Sequence, residues 1–423
     1  MFKVQEFSIT GFWGKYEAKS SFHEDVNIVI GRNGSGKTTF MNILHAVLSA
    51  DIEALYENDF RVATVKLTNG KSTRTIRVEK PEDERSLFSR AEYQISTRKY
   101  VLPIYGGDEA RNFPMSARRR AFEELETIRT ELASIVALAS LSVYRISSES
   151  DPEQRERPSK RLLSPVDYHL ARLAQKLTHY QLELSNEARL VSADLQREVL
   201  ASLLYQKETA AATRGSILEF NEDAEKISLA SAYKQLGIIG PDIAKRINEH
   251  TGAIAEAVLK LKQAIEQKSA KMGSVDLTPI EARKRATKVI DLSLKAEKQN
   301  KEIFAQVELF KTTLKRFIDD KTFDFVAGDL QVTGTEPLPL AKLSSGEKQL
   351  LILFIEALLQ RQKPYVFLAD EPELSLHISW QRNIIPAIRE LNPNAQVIVA
   401  THSPEIAGRF KPRIVDMGAI LHV

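Results

Sequence analysis

The apolar positions change rhythm along this chain, and each change predicts a different kind of element. Residues 1–30 alternate as antiparallel strands do: Val4, Phe7 and Ile9 lead into a Gly11-Phe12-Trp13-Gly14 turn, and Tyr16 to Phe22 return. An apolar run, Val26 to Ile30 with Asn27 inside it, follows as a strand. After a glycine-rich interval, Phe40, Ile43, Leu44, Val47 and Leu48 step by threes and fours and predict a helix. Val62, Thr64 and Lys66, the turn pair Asn69-Gly70, and Thr75 to Val78 predict a hairpin. Further strands are expected at 100–105 and 141–146.

The period turns helical near residue 113. Arg118-Arg119-Arg120 opens a helical stretch to about Ala139, read either as a solvated face or as a nucleic-acid contact. Ser147 to Pro165 is polar and carries Pro152, Pro158 and Pro165, as a linker would. Then Leu170, Leu173, Leu177, Tyr180, Leu184, Ala188, Val191 and Leu195 form one apolar seam. Gly215, Gly237, Gly240 and Pro241 punctuate the middle. A second seam follows Pro279: Val289, Leu292, Ala296, Asn300, Ile303, Val307, Phe310, Leu314 and Phe317, with Asn300 its polar member. Two seamed helices around a broken middle predict an antiparallel arm, where about 40 helical residues would reach roughly 60 Å. Strand character returns at 323–334. It becomes continuous at Val366 to Ala369 and Val397 to Ala400, as strands buried on both faces require.

Composition adds limits. A chain of 423 residues favours two modules. A net charge of +3 gives no global pull toward nucleic acid, so any basic patch is local. There is no cysteine, which suits a reducing, cytoplasmic setting. The amino terminus lacks a signal-peptide layout, no apolar run is long enough for a membrane span, and the histidines show no metal-ligand spacing.

Chemistry is concentrated in two places. Gly31 to Thr38 reads G-x-x-x-x-G-K-T between a strand and a helix, a phosphate-binding loop in its proper context. Backbone N–H groups of Asn33, Gly34, Ser35, Gly36, Lys37, Thr38 and Thr39 would cradle phosphates at the helix N-terminus. Lys37 would reach the β- and γ-phosphates, and Thr38 would bind Mg²⁺. Phe12 and Trp13 either stack on an adenine ring or pack the hairpin. In the last 80 or so residues, Ser345 and Gly346 open a helix whose free N–H groups can hold an anion. Asp370, ending a buried strand, is placed to hold Mg²⁺, and Glu371 to take a proton from an attacking water. His402, after the next buried strand, is placed to hydrogen-bond a γ-phosphate.

Together the phosphate loop, Leu343-Ser344-Ser345-Gly346-Glu347, Asp370-Glu371, Glu373 to His377 and Thr401-His402-Ser403-Pro404 resemble the head of an ABC-type ATPase. The branch is that of RecF, Rad50, SMC and OLD-family proteins, and Pro372 to His377 is more similar to the RecF and OLD side than to transporter ATPases. The resemblance covers about residues 1–105 and 323–423, and it implies an α/β head built from both chain ends around an α-helical, coiled-coil insert. The expected division is 1–112, 113–322 (with 141–146 as a possible head strand) and 323–423. In that family two heads sandwich two ATP molecules, so Ser345, Gly346 and Glu347 would contact ATP bound to another subunit of a homo-oligomer. The family also uses a glutamine between the two ATP motifs, and Gln94 is the only glutamine between Gln5 and Gln154.

The resemblance implies a cytoplasmic, Mg²⁺-dependent ATPase whose head closure controls a partner. Compact proteins of this build are similar to ATPase subunits of bacterial anti-phage systems of the PARIS and Septu types. About 20 residues follow His402, too few for a fused nuclease. A separate effector, a nuclease, is therefore expected on the helical insert. The alternative is a RecF-type repair or recombination ATPase that binds DNA directly. No membrane partner is expected.

Overall fold

The computed structural model describes residues 1–81, 90–104, 115–141, 164–202, 220–235, 237–238, 240–266, 276, 278–333 and 338–422. The chain opens with β1 (Lys3–Phe12), β2 (Tyr16–Ser21), β3 (Val26–Ile30), α1 (Lys37–Ser49), α2 (Ile52–Glu57), β4 (Val62–Thr68), β5 (Thr73–Glu79), β6 (Arg90–Ile95) and β7 (Arg98–Pro103). It continues through α3 (Met115–Ile135), β8 (Leu138–Leu141), α4 (Pro165–Ser202), α5 (Glu222–Gln235), α6 (Pro241–Glu266), α7 (Thr278–Phe317), β9 (Thr322–Val326) and β10 (Asp329–Thr333). It closes with α8 (Ser345–Leu359), β11 (Tyr365–Asp370), α9 (Ile378–Leu391), β12 (Ala395–Ala400), α10 (Pro404–Arg409), β13 (Ile414–Asp416), α11 (Met417–Ile420) and β14 (Leu421–His422).

Two compact units emerge, one of residues 1–178 with 309–423 and one of residues 179–308. The first is an α/β head with two principal sheets. A seven-stranded antiparallel sheet runs β14-β2-β1-β4-β5-β6-β7, and a five-stranded parallel sheet runs β13-β3-β12-β11-β8. Phe40, Ile43, Leu44 and Val47 of α1 share one core with Phe7 and Ile9 of β1, Val65 of β4 and Ile398 of β12. Every residue of β12 is buried, as its unbroken apolar run requires of a central parallel strand. No helix among the described residues is long and apolar enough to cross a membrane.

Several sequence expectations shift. The strand expected at 141–146 is β8, which pairs in parallel with β11 through Leu138 and Val366. Residues 142–146 lie outside the described residues, as does Tyr105 beyond β7. Strand β6 was not anticipated, although Ala91, Tyr93 and Ile95 alternate inward along it. Helix α3 stops at Ile135 rather than Ala139, because the chain turns directly into β8. It belongs to the head, not to an insert beginning at 113, because Leu125, Ile128, Leu132 and Ile135 enter the head core. The head also keeps the residues up to Thr178 and from Leu309 onward, so the second unit is shorter than 113–322 at both ends. In the arginine triplet, Arg119 is exposed and pairs with Glu123 at 3.3 Å, as a solvated face does. The side chains of Arg118 and Arg120 lie outside the described residues.

The second unit is helical. Leu229 and Ala232 of α5, Ile247 of α6 and Ile290 of α7 form its small core. Along α7 the seam is out of phase with expectation at its start: Ile290 and Ser293 are buried, while Val289 and Leu292 are only half-buried. The cause is that this end of α7 packs on α5 and α6. Ala296 and Val307 are buried as the seam requires, and Gly215 lies outside the described residues.

One buried amide ties the two ends of the head together. Gln396 on β12 is fully buried, accepts from the Val4 N–H at 2.7 Å and donates to the Val4 carbonyl at 2.7 Å and to the His23 carbonyl at 2.8 Å. This hooks the antiparallel sheet onto the parallel one at the bulge in β1 between Val4 and Glu6. Gln396→Leu keeps the volume and strands the Val4 N–H and C=O, which should cost roughly 2–4 kcal/mol. Urea unfolding followed by circular dichroism measures it, and an unchanged midpoint would show the amide to be dispensable.

Candidate active site

The phosphate-loop sequence folds as its spacing predicts. Gly34 and Gly36 lie at φ 74° and 91°, in the left-handed region that glycine occupies without strain. Gly36 is also close-packed, because a Cβ there would come within 2.9 Å of the Phe12 ring. Phe12 is fully buried under the loop, which is its packing role, while Trp13 stays partly exposed beside it with ring centroids 4.8 Å apart. Lys37 begins α1, is buried, and donates to the carbonyls of Gly31 at 3.1 Å and Arg32 at 3.2 Å. Burial pushes its ammonium below the usual lysine range, and the carboxylates of Glu371, Asp370 and Glu373 oppose that shift. Asn33, Gly34 and Thr38 are exposed, and Thr39 is half-buried on the first turn of α1.

The ends of β11 and β12 arrive beside this loop. The Thr38 hydroxyl hydrogen-bonds Asp370, and burial pushes the Asp370 carboxyl up against that bond. Asp370 Oδ1 is buried and has no hydrogen-bond partner. A hydroxyl and a carboxylate with one free, buried oxygen form an all-oxygen donor pair, which fits Mg²⁺. Among the described residues no cluster of three or more acidic, histidine or cysteine ligands forms a protein-only metal cage.

Glu371 adopts φ 49°, an uncommon left-handed value for a non-glycine residue, and its N–H bonds the Ala400 carbonyl at 2.8 Å. Its Oε1 lies 3.6 Å from Nε2 of His402. A cavity of about 570 Å³ opens on the His402 side of the loop, lined among others by Gly31, Arg32, Ser35, His402, Ser403 and Asp416 and not by Glu371 or Asp370. The candidate base, the candidate γ-phosphate donor and the phosphate loop therefore share one edge of the parallel sheet.

Helix α8 brings the Ser344-Ser345-Gly346-Glu347 stretch to the surface of the head. Ser344 and Glu347 form a reciprocal capping box, in which the Glu347 carboxylate accepts from Ser344 N–H at 2.8 Å. Gly346 is required by close approach, since a Cβ would sit 2.5 Å from the Ser375 carbonyl. Ser345 is exposed. Glu347 is buried, and its other oxygen takes the Lys321 ammonium at 2.6 Å. Its carboxylate is thus engaged within the subunit, a use that its expected role as an ATP contact did not foresee. Gln94 lies away from the loop in the β6–β7 hairpin, paired opposite Lys99, and donates to the Ser96 carbonyl at 2.8 Å.

Sequence reasoning missed Lys321 and Glu373. Lys321 has no motif around it. Glu373 follows the Asp370-Glu371-Pro372 run, and an extra acid beside the candidate catalytic pair was the available signal.

A family profile described as AAA ATPase domain matches residues 2–407. The chain is 31% identical over 103 residues to a "Retron Ec83 probable ATPase" of Escherichia coli, a match covering 24% of this chain and 19% of that protein. It is 40% identical over 81 residues to the phosphonates import ATP-binding protein PhnC of Burkholderia pseudomallei, covering 19% of this chain and 25% of that protein. The matched stretches thus span a quarter or less of these curated relatives. A solved Smc head domain from Pyrococcus furiosus, with an extended coiled coil and bound to the C-terminal domain of ScpA, aligns at TM-score 0.45 and 14% identity. That alignment covers 98% of this chain and 93% of the Smc chain.

The Glu347–Lys321 pair generates a pH-dependent expectation. Burial raises the Glu347 pKa, but the bonds from Lys321 and Ser344 outweigh it, so its carboxyl titrates below the usual range. A depressed carboxylate stabilises the fold above the ordinary glutamate pKa of about 4.3 and loses that contribution as pH falls through the lowered value. Lys321→Met should therefore lower stability by about 1–3 kcal/mol at neutral pH, with the gap to wild type narrowing below about pH 4. Denaturant melts at several pH values measure it, and a gap that stays constant into acid would contradict a charge-based role.

Proposed function

This chain belongs to the AAA ATPase domain family, and from that premise we propose that it is a Mg²⁺-dependent ATP phosphohydrolase whose head closure controls a separate effector. The observation that carries the reading is the convergence of Lys37 and Thr38 with Asp370, Glu371 and His402 at one sheet edge. In this reading the N–H groups of residues 33–39 hold the phosphate chain, and Lys37 lies against the β- and γ-phosphates. Thr38 and Asp370 are the residues that would hold Mg²⁺, which neutralises phosphate charge when bound. Glu371 takes a proton from water as the water oxygen bonds the γ-phosphorus, and the bond from that phosphorus to the ADP oxygen breaks. His402 donates a hydrogen bond to the transferred phosphoryl group.

Ser345 is exposed at the N-terminus of α8, while Glu347 is turned inward, so this helix end offers a hydroxyl and N–H groups outward. That supports a site completed by a second copy, with Ser345 and Gly346 of one subunit on the ATP of the other. Helix α8 is also fixed to the roots of the helical insertion. Lys348 pairs with Asp167 at 2.7 Å and Glu356 meets His169 at 3.4 Å on α4, while Phe317 of α7 packs edge-on against Phe354 with centroids 5.1 Å apart. A displacement of α8 on closure would pull on both long helices. The effector, a nuclease in an anti-phage setting, would then bind the unit of residues 179–308. The likeness to a retron ATPase is compatible with that setting.

The test uses Glu371→Gln. It should bind ATP as wild type does and slow phosphate release by about 10²-fold or more, because the base is lost while the shape is kept. Lys37→Ala should lose ATP binding itself. Used as bait in its own cells with ATP and then with ADP, Glu371→Gln should retain a partner protein in one nucleotide state only. Wild-type turnover in Glu371→Gln would overturn the base assignment. Nucleotide-dependent retention of DNA in place of a protein would favour the direct DNA-binding alternative.

A further inference from the structure

Glu373 stands next to the reacting groups proposed above, and no step of the hydrolysis uses it. Its Oε1 accepts three hydrogen bonds: from the Thr401 hydroxyl at 2.6 Å, from the His402 N–H at 2.8 Å and from the Ser403 N–H at 3.1 Å. The Ser403 N–H is shared with the Thr401 hydroxyl at 2.9 Å, so the turn closes on itself around this oxygen. The second oxygen, Oε2, is buried and has no hydrogen-bond partner. All three donors belong to the turn that carries His402, whose ring lies 3.6 Å from Glu371.

The segment that presents Glu373 is itself held tightly. Leu374 N–H bonds the Glu371 carbonyl at 3.1 Å and Leu376 N–H bonds the Glu373 carbonyl at 3.0 Å, closing consecutive turns after β11. Ser375, in the left-handed region at φ 66°, has its carbonyl against Gly346 of α8. The Pro372 carbonyl accepts from the Gln349 side chain at 3.2 Å. Glu373 therefore connects the end of β11 and the start of α8 to the turn after β12.

We infer that Glu373 is a positioning residue: one carboxylate oxygen fixes the Thr401-His402-Ser403 turn and, through it, holds the His402 imidazole beside Glu371. The inference rests on the ATPase reading for its catalytic consequence, while the clamp itself is independent of it. An acceptor is what the turn needs, because every contact made by Glu373 Oε1 is received from a donor. A glutamine carbonyl can receive the same bonds, and an alanine cannot.

The test compares Glu373→Ala, Glu373→Gln, His402→Ala and the Glu373→Ala/His402→Ala double variant in the full chain. Glu373→Ala should lower kcat by about 10²-fold through a misplaced imidazole, with little change in KM. Glu373→Gln should stay within about threefold of wild type, because the acceptor is kept. The double variant should fall no further than His402→Ala alone, since residues acting through one another are non-additive. Additive losses would overturn the inference, and so would a Gln variant as inactive as Ala, which would make charge rather than acceptance the role. Hydrogen exchange of the His402 and Ser403 amides reads the clamp without turnover, and should rise in Glu373→Ala and not in Glu373→Gln. Unchanged exchange in the Ala variant overturns the clamp even if the protein proves to be an ATPase. A wild type that releases no phosphate, with exchange changing as stated, defeats the ATPase reading and leaves the clamp standing. Should Glu373→Ala fail to fold, Thr401→Val removes a donor from the other side and should likewise raise exchange at His402; no rise there overturns the clamp.

Discussion

The register of the parallel strands is the constraint on which the site depends. Ala400 of β12 stands level with Val29 of β3 and with Asp370 of β11, and Asp416 of β13 stands level with Ile30. Parallel strands in step end at the same edge, so residues 31–38, 370–373 and 401–403 must emerge together. The first of these segments lies more than 300 positions from the other two in sequence, and no local preference could join them. The register is stabilised by strands buried on both faces and by Gln396, which anchors the amino-terminal strand to β12. A slip of one residue in β12 would carry the Gln396 amide away from Val4 and His23 and move the Thr401 turn away from Asp370.

Electrostatics at that edge are finely opposed. Lys37 is buried next to Asp370, Glu371 and Glu373, so burial weakens its charge while three carboxylates support it. Asp370 meets the opposite pressure, with burial favouring its neutral form and the Thr38 hydroxyl favouring its charged form. The strained backbone at Glu371 belongs to the same arrangement, since local strain persists only where surrounding structure over-determines it. Here the β12 carbonyl on one side and the turns through Leu376 on the other supply that determination.

What could be read from the sequence follows a physical division. The phosphate loop, the Asp370-Glu371 end of β11 and the turn at His402 were legible because each joins a strand period to short-range turn chemistry. Helix α3 was placed in the wrong unit because a period of 3.6 reveals a buried face without naming what covers it. The seam of α7 was misphased at Ile290 for the same reason: the helix changes packing partners along its length, which no single stripe can show. The roles of Glu373 and Lys321 were not assigned because they lie in tertiary contacts: the donors to Glu373 are 28–30 residues away, and the Glu347 carboxylate that accepts from Lys321 is 26 residues away. Gln396 did carry a signal, since a lone amide inside the apolar run Ala395 to Ala400 needs partners if it is buried.

In the proposed mechanism the free oxygen of Asp370 and the hydroxyl of Thr38 face the same bound metal beside an ATP held on residues 33–39. A structure of the full chain with ATP and Mn²⁺, located by its anomalous scattering, tests this directly. The expected result is one metal next to the Thr38 hydroxyl on the Asp370 side, with the triphosphate along the loop and the γ-phosphate toward His402. A nucleotide bound elsewhere, or a metal with neither Thr38 nor Asp370 beside it, would contradict this assignment.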